Sequence, residues 1–344
     1  MTAVLSTIRT RSARDVMAWS RTLVHPALRF ELDRLPASFR TVAGYHFGWN
    51  DEEGRPTRTD SGRGLRSALV LLSAEAVGGI PESVVPAAVA VELVHNAAVL
   101  HDDVLAGELV RRGRPAAWSV FGGDAVALTA NTMVAHALDV LAALDGPAPH
   151  DLVRMLTQVI VDLLVGQATA HEIAVRPKVT IDDCLEVAEH RTAALCGQAC
   201  ALGAVIGGGR PGQVEHLREF GRQFGLALHH VCDLLGASAH ATTVGRAAFA
   251  DITHRRKTLP VVAALTSGTR SGTELAAVYA TDRPLFHEEV SRAADLVDQA
   301  GGRAWGVTQA LERSADAVRH LLAAHARSRP ADELIALARM GTST

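Results

Sequence analysis

His101-Asp102-Asp103, followed by Arg111-Arg112-Gly113, is one of two stretches on which the reading of this chain turns. The other is His229-His230-Val231-Cys232-Asp233, followed by Asp251 and Arg255-Arg256-Lys257-Thr258. Each places acids on an apolar helical run and a basic cluster downstream. Residues i and i+4 of a helix share a face, so a helix that holds a diphosphate through divalent cations wants carboxylates at that spacing, usually with one at i+1. The first stretch supplies Asp102 and Asp103 at i and i+1, but i+4 is Ala106. What is kept and what is missing both bear on function.

Working outward, the apolar run that carries these acids spans roughly 85–105 and also holds His95. Helical periodicity continues over 13–35, stopped by Pro36, and over 65–78, ended by Gly78-Gly79. It resumes over 123–143, 151–175, 181–206, 212–238, 257–266, 286–300 and 303–326. Thr180 with Asp183 forms a capping box for the 181–206 helix, and Pro211 stands at a favourable helix start. A Gly-rich and charged loop is expected over about 44–64, and no stretch alternates as a strand. The pattern predicts an all-α fold, a single bundle of long helices around a central cavity. It is one domain over 1–344, with 1–12 as a flexible tail.

A formal charge of −3 and the lack of a basic run exclude a nucleic-acid partner as the expectation. Cys184, Cys196, Cys200 and Cys232 have neither metal-finger nor disulfide-framework spacing. The first residues carry arginines but no apolar signal core. The most apolar region, around 84–100, is interrupted by Glu92 and His95 and reads as too short to span a membrane. A cytoplasmic protein without an integral membrane segment is therefore expected. Of the 34 basic residues only Lys178 and Lys257 are lysines, a skew that looks like genome composition.

Mg²⁺ prefers oxygen ligands and bridges one or two carboxylates to phosphate oxygens. Asp102 and Asp103 could anchor one such ion, while Arg111 and Arg112 offer planar forks to phosphate. On the second helix His229, Cys232 and Asp233 fall at i, i+3 and i+4. That face suits either a softer metal or, more simply, a filled pocket in which Cys232 is a small apolar residue.

Val91-Glu92-Leu93-Val94-His95-Asn96, His101-Asp102-Asp103-Val104-Leu105 and Arg111-Arg112-Gly113-Arg114-Pro115 together resemble the trans-isoprenyl diphosphate synthase (polyprenyl synthetase) family. Tyr45-His46-Phe47-Gly48-Trp49 with Gly62-Arg63-Gly64-Leu65-Arg66 is similar to the entry segment of actinobacterial geranylgeranyl diphosphate synthases. The resemblance covers about residues 40–265. It implies a helical bundle that is usually dimeric, Mg²⁺ as cofactor and prenyl diphosphates as small-molecule partners. It assigns isopentenyl diphosphate to Arg63, Arg66, His95 and Arg112. The allylic diphosphate falls to Arg111, Arg191, Thr192, Arg246 and Arg256, with Asp102, Asp103 and Asp233 as metal ligands. Those aspartates and Arg191 are the catalytic candidates, and Ala97 and Ala98 form a low pocket floor that favours products of C20 or longer.

The departures are Ala106 in the first motif, Cys232 and Gly236 in the second, Leu228-His229 for a Phe-Gln pair, Ala170 after Gly166-Gln167, and Asn131. The expected function is a Mg²⁺-dependent trans-prenyltransferase joining an allylic diphosphate to isopentenyl diphosphate. A terpene synthase of the same fold, acting on a C15–C20 diphosphate, is one alternative. A non-catalytic partner subunit, forming a heteromer with another synthase, is the other. Cys196 and Cys200, four apart, resemble a pair in such plant subunits.

Overall fold

In the computed structural model, residues 10–57, 62, 64–144, 149–238, 249–281 and 283–340 are described. The chain runs through α1 (Ala13–Asp33), α2 (Ala37–His46), α3 (Leu65–Val77), α4 (Val85–Ala106), α5 (Ala117–Phe121), α6 (Gly123–Ala142), α7 (Pro149–Val175) and α8 (Ile181–Ala188). It continues through α9 (Ala194–Ile206), α10 (Pro211–Gly236), α11 (Ala250–Thr253), α12 (Leu259–Leu265), α13 (Arg270–Tyr279), α14 (His287–Gln299), α15 (Gly302–Ala323) and α16 (Ser328–Met340). A 3₁₀ turn, Pro81–Val84, leads into α4, and a π-helical turn, Glu189–Ala193, joins α8 to α9. The only strands among the described residues are β1 (Val110–Arg111) and β2 (Arg114–Pro115), an antiparallel hairpin.

Helices α3, α4 and α9 are apolar on nearly every side, and helices of that kind belong in a core. They form it here, with α1, α6, α10 and α16 packed around them. Small residues set the spacing. A Cβ on Gly203 would lie 2.1 Å from the Val70 carbonyl oxygen, so α9 meets α3 backbone to backbone. Gly221 does the same between α10 and α9, where a Cβ would sit 2.4 Å from the Cys196 carbonyl. The close crossings hold Arg66 on α3 and the acids of α4 in one fixed frame.

The bundle follows the expected pattern, including the Thr180–Asp183 capping box and Pro211 at the start of α10. Several expectations need correction. Tyr45 and His46 lie inside α2 rather than in a loop, because Pro36 both stops α1 and caps the next helix. Of the segment expected as a tail over 1–12, residues 1–9 lie outside the described residues, while Arg11 is held in place. Arg11 donates from its backbone N and from Nε to Glu333 Oε1, both at 3.0 Å, and its guanidinium reaches Glu75 at 3.1 Å. The 84–100 region is not short, since helical structure runs without a break from Pro81 to Ala106. Its apolarity is explained by packing in the core, where most of it is buried. By length and composition alone this segment, Gly123–Ala142 and Pro149–Val175 could each cross a membrane.

Candidate active site

Asp102 and Asp103 stand near the C-terminal end of α4, which Gly107 closes at φ +63°. Helix carbonyls concentrate negative charge there, so two acids at that end require cations. Neighbouring helix positions point about 100° apart, and the two carboxylates go to different arginines. Asp103, 1% exposed, is gripped by Arg111, whose Nε donates to Oδ1 at 3.0 Å and whose Nη2 bonds the same oxygen. Burial raises the Asp103 pKa, and the Arg111 hydrogen bond and charge pull against it. Asp102 keeps 28% of its side chain exposed. Its Oδ2 accepts from Arg191 Nη2 at 2.5 Å, and its Oδ1 accepts from Gln167 Nε2 at 3.2 Å.

Arg191 and Thr192 come from the π turn, a widened turn of the kind that recurs at functional sites. Gly166 on α7 makes room for it, because a Cβ there would meet Arg191 Cγ at 2.7 Å. Gln167, the next residue, also donates to the Ala98 carbonyl at 3.0 Å, which ties α7 to α4. Ala97 is fully buried in the core, and only Ala98 of the expected floor pair is partly exposed.

The β1–β2 hairpin turns through Arg112 (φ +53°) and Gly113 (φ +74°). Positive φ at both central residues suits a two-residue hairpin, and a non-glycine residue held there marks local strain. Arg111 thereby faces Asp103, while the Arg112 guanidinium lies beside Gly62, where a Cβ would be 3.2 Å from Nη2. The hairpin borders a cavity of 360 Å³ lined by Tyr45, His46, Gly48, Arg111, Arg112, Gly113, Arg114, Pro115 and Ala117. No carboxylate is among these residues. Behind it, Arg66 Nη1 lies 3.1 Å from His95 Nε2. Burial first, then Arg66 and Arg112, hold His95 well below its ordinary pKa, so the ring is neutral and accepts from Arg66. Burial and Arg112 likewise lower His46 to about 3, and its Nε2 sits 3.1 Å from Asn96 Oδ1.

The second helix is arranged differently. Asp233 Oδ2 accepts from the Leu259 backbone N at 3.0 Å, capping α12, and its Oδ1 lies 3.7 Å from His229 Nε2. His229 Nδ1 in turn lies 2.9 Å from Thr192 Oγ1. Arg256 pairs with Asp251 and Glu108. Arg63 and Arg246 lie outside the described residues. Among the described residues no three His, Cys, Asp or Glu side chains converge on a metal position. Asp102, Asp103 and Asp233 are therefore apart in this state, and His229, Cys232 and Asp233 do not form the softer-metal site considered above. Asp251 and Gln167 stand in stretches that the sequence marks out, but neither is assigned a role there; Glu108 is missed altogether, because nothing in its local pattern separates it from a surface acid.

Mg²⁺ fits this donor set better on one side. Asp102, partly exposed and with oxygen donors, suits an ion that keeps waters and shares phosphate oxygens. The second helix fits it less well: Asp233 already gives one oxygen to the Leu259 N–H, Cys232 is no ligand for a hard cation, and Gly236 has no side chain.

A helical bundle with a carboxylate-free arginine cavity beside an acid–arginine pair offers the planar donors that phosphate oxygens match. A family model described as Polyprenyl synthetase matches residues 55–297. The (2E,6E)-farnesyl diphosphate synthase of Mycobacterium tuberculosis is 35% identical over 332 residues, covering 96% of this chain and 92% of that protein. The geranylgeranyl diphosphate synthase of the same species is 36% identical, covering 87% and 86%. A crystal structure of a polyprenyl synthetase from Streptomyces coelicolor A3(2) superposes with a TM-score of 0.90 at 36% identity, covering 95% of this chain and 98% of that one. The chain belongs to the polyprenyl synthetase family, the trans-isoprenyl diphosphate synthases.

Proposed function

We propose that this chain is a trans-prenyltransferase that joins an allylic prenyl diphosphate to isopentenyl diphosphate. The observation that carries the reading is the 360 Å³ cavity with Arg111, Arg112 and Arg114 in its wall and no acid. It is a second anion receptor beside Asp102–Arg191, and an enzyme that only ionised and cyclised one diphosphate would not need it. A low aromatic content, 4%, also disfavours a cyclase, whose pocket needs aromatic faces for cations. The partner-subunit reading is weakened because Cys196 and Cys200 are fully buried within α9.

In this reading the acceptor diphosphate is held by Arg66, Arg112, the neutral His95 and Arg63. The allylic diphosphate lies against Arg191 and Thr192, with Arg246 and Arg256 beyond. When its C–O bond breaks, the electron pair passes to the diphosphate and leaves an allylic cation. Guanidiniums fixed before the reaction stabilise that developing charge without reorganising, usually the dominant catalytic term. Mg²⁺ bound at Asp102 would add Lewis-acid stabilisation of the leaving group. Gln167 and Arg191 hold Asp102 in place, and Asp103 does the same for Arg111.

The test is incubation of the purified protein with Mg²⁺ and geranyl, farnesyl or geranylgeranyl diphosphate, with and without isopentenyl diphosphate. A longer diphosphate, C20 or above because Ala98 leaves the floor low, is expected only when the acceptor is present. A hydrocarbon or alcohol formed without acceptor would replace this reading with cyclisation. Silence until another synthase is added would replace it with a partner role.

The reading includes a cytoplasmic homodimer. Leu128 on α6 and Val161, Leu164 and Val165 on α7 are each more than 40% exposed, and apolar side chains clustered on neighbouring helices favour an interface. Sedimentation equilibrium should give twice the chain mass; a monomer at micromolar concentration would remove the dimer from the proposal.

A further inference from the structure

The second-helix side of the site already contains a cation of the protein's own. Arg256 donates from Nη1 to Asp251 Oδ1 at 2.9 Å and from Nη2 to Glu108 Oε1. Asp251 is fully buried and Glu108 is 9% exposed. Glu108 follows the first acidic helix and Asp251 follows the second, so one guanidinium closes the gap between the two segments. Gly236 supplies a separate observation: a Cβ there would lie 1.9 Å from Asp251 Oδ2. The Asp251 carboxylate therefore fills the volume that a side chain at 236 would need.

The loop that presents Arg256 is fixed on both sides. Its backbone N donates to the Asp251 carbonyl at 2.8 Å, and Arg255 before it takes a left-handed φ of +48°. Lys257 after it gives Nζ to the carbonyls of Ile173 and Ala174, both at 3.1 Å, and to that of Arg176. Those carbonyls belong to the open C-terminal end of α7. A compact ammonium can serve three converging acceptors where a planar guanidinium cannot. That accounts for a lysine at this point in a chain otherwise almost wholly arginine.

Two carboxylates from separate segments around one planar cation make a seat in which a divalent ion and a guanidinium compete. The guanidinium is tethered and weakly hydrated, whereas Mg²⁺ gives up its waters reluctantly. We infer that Arg256, seated between Glu108 and Asp251, is a built-in cation that replaces a metal ion on the second-helix side of the cavity. The inference rests on the prenyl diphosphate reading only for the anion this cation would face.

Mn²⁺ binding to the full chain, followed by the electron paramagnetic resonance signal of the free ion, tests it independently of turnover. Titrations are run with Mn²⁺ alone and with Mn²⁺ plus inorganic pyrophosphate. Wild type, Asp251→Asn and Glu108→Gln should bind equal numbers of ions. Arg256→Gln, which takes the guanidinium from between the two carboxylates, should bind one more Mn²⁺ per chain, and Arg256→Gln/Asp251→Asn should lose it again. An ion lost on Asp251→Asn or Glu108→Gln, or none gained by folded Arg256→Gln, overturns the inference. Should Arg256→Gln fail to fold, the two carboxylate variants decide alone: an unchanged count supports the built-in cation and a reduced count removes it. Correct counts in a protein without prenyl transfer would sink the reaction proposed above and leave the built-in cation standing. Turnover with the wrong counts would do the reverse.

Discussion

Asp102→Ala is expected to lower kcat by about two to three orders of magnitude with little loss of stability, whereas Asp103→Ala should chiefly unfold the protein. The two residues are adjacent and chemically identical, and the family motif treats them as a pair. Their surroundings differ. Asp102 is 28% exposed and faces Arg191 and Gln167, so its loss removes an anchor for the cation and leaves Arg191 still accessible to solvent. Asp103 is 1% exposed, and Arg111 is only 15% exposed. Deleting the carboxylate strands a buried guanidinium, a change that typically costs about 3–5 kcal/mol. Urea unfolding and steady-state kinetics on both variants separate the effects. If Asp102→Ala unfolded the chain while Asp103→Ala folded normally and lost only kcat, Asp103 would be the metal-facing residue and the division made here would be wrong.

This division also marks how far the site was legible in the sequence. Helix α4 could be placed, and its acids and the downstream arginines recognised, because periodicity and residue type are local properties. Which acid faces the cavity was not local. It depends on a π turn that carries Arg191 in from another helix, and on a hairpin turning through Arg112 with positive φ. Arg112-Gly113 lacks the Asn-Gly signature of such turns, so the hairpin passed unread. Helix α2 was lost for a related reason: Pro36 reads as a stop although it also opens a helix. Likewise α13 and α16 pass unnoticed between and after the helices expected over 257–266, 286–300 and 303–326. Gly236 is the sharpest case. From sequence it is a missing carboxylate, and in space it is a place already taken by Asp251.

Stability should fall steeply as the pH drops below about 6.5, the ordinary histidine pKa, because buried imidazoles here resist protonation. Burial, then Arg112, lowers His46 to about 3, and burial, then Arg313, lowers His230 to about 4. His95 is lowered too, by burial and then by Arg66 and Arg112. A folded pKa below the unfolded one means that the unfolded chain binds more protons between the two values. The stabilising difference is therefore intact above pH 6.5 and shrinks as the pH falls. At pH 5 His46 and His230 should together cost about 4 kcal/mol, a large share of an ordinary domain's stability. His230 isolates the effect. It is fully buried on α10, its ring meets Trp305 edge-on with centroids 5.6 Å apart, and among the described residues neither ring nitrogen has a hydrogen-bond partner. Between pH 7 and pH 5 His230→Leu should lose about 2 kcal/mol less unfolding free energy in urea titrations than wild type. Equal losses in the two proteins would show that His230 is charged or hydrated in the folded state. His95 carries the same dependence into function: once protonated it can no longer accept from Arg66, and two cations then repel where one hydrogen bond stood. KM for isopentenyl diphosphate should accordingly rise on the acid side while the allylic KM stays flat, since among the described residues no buried histidine with a lowered pKa bonds Asp102 or Arg191.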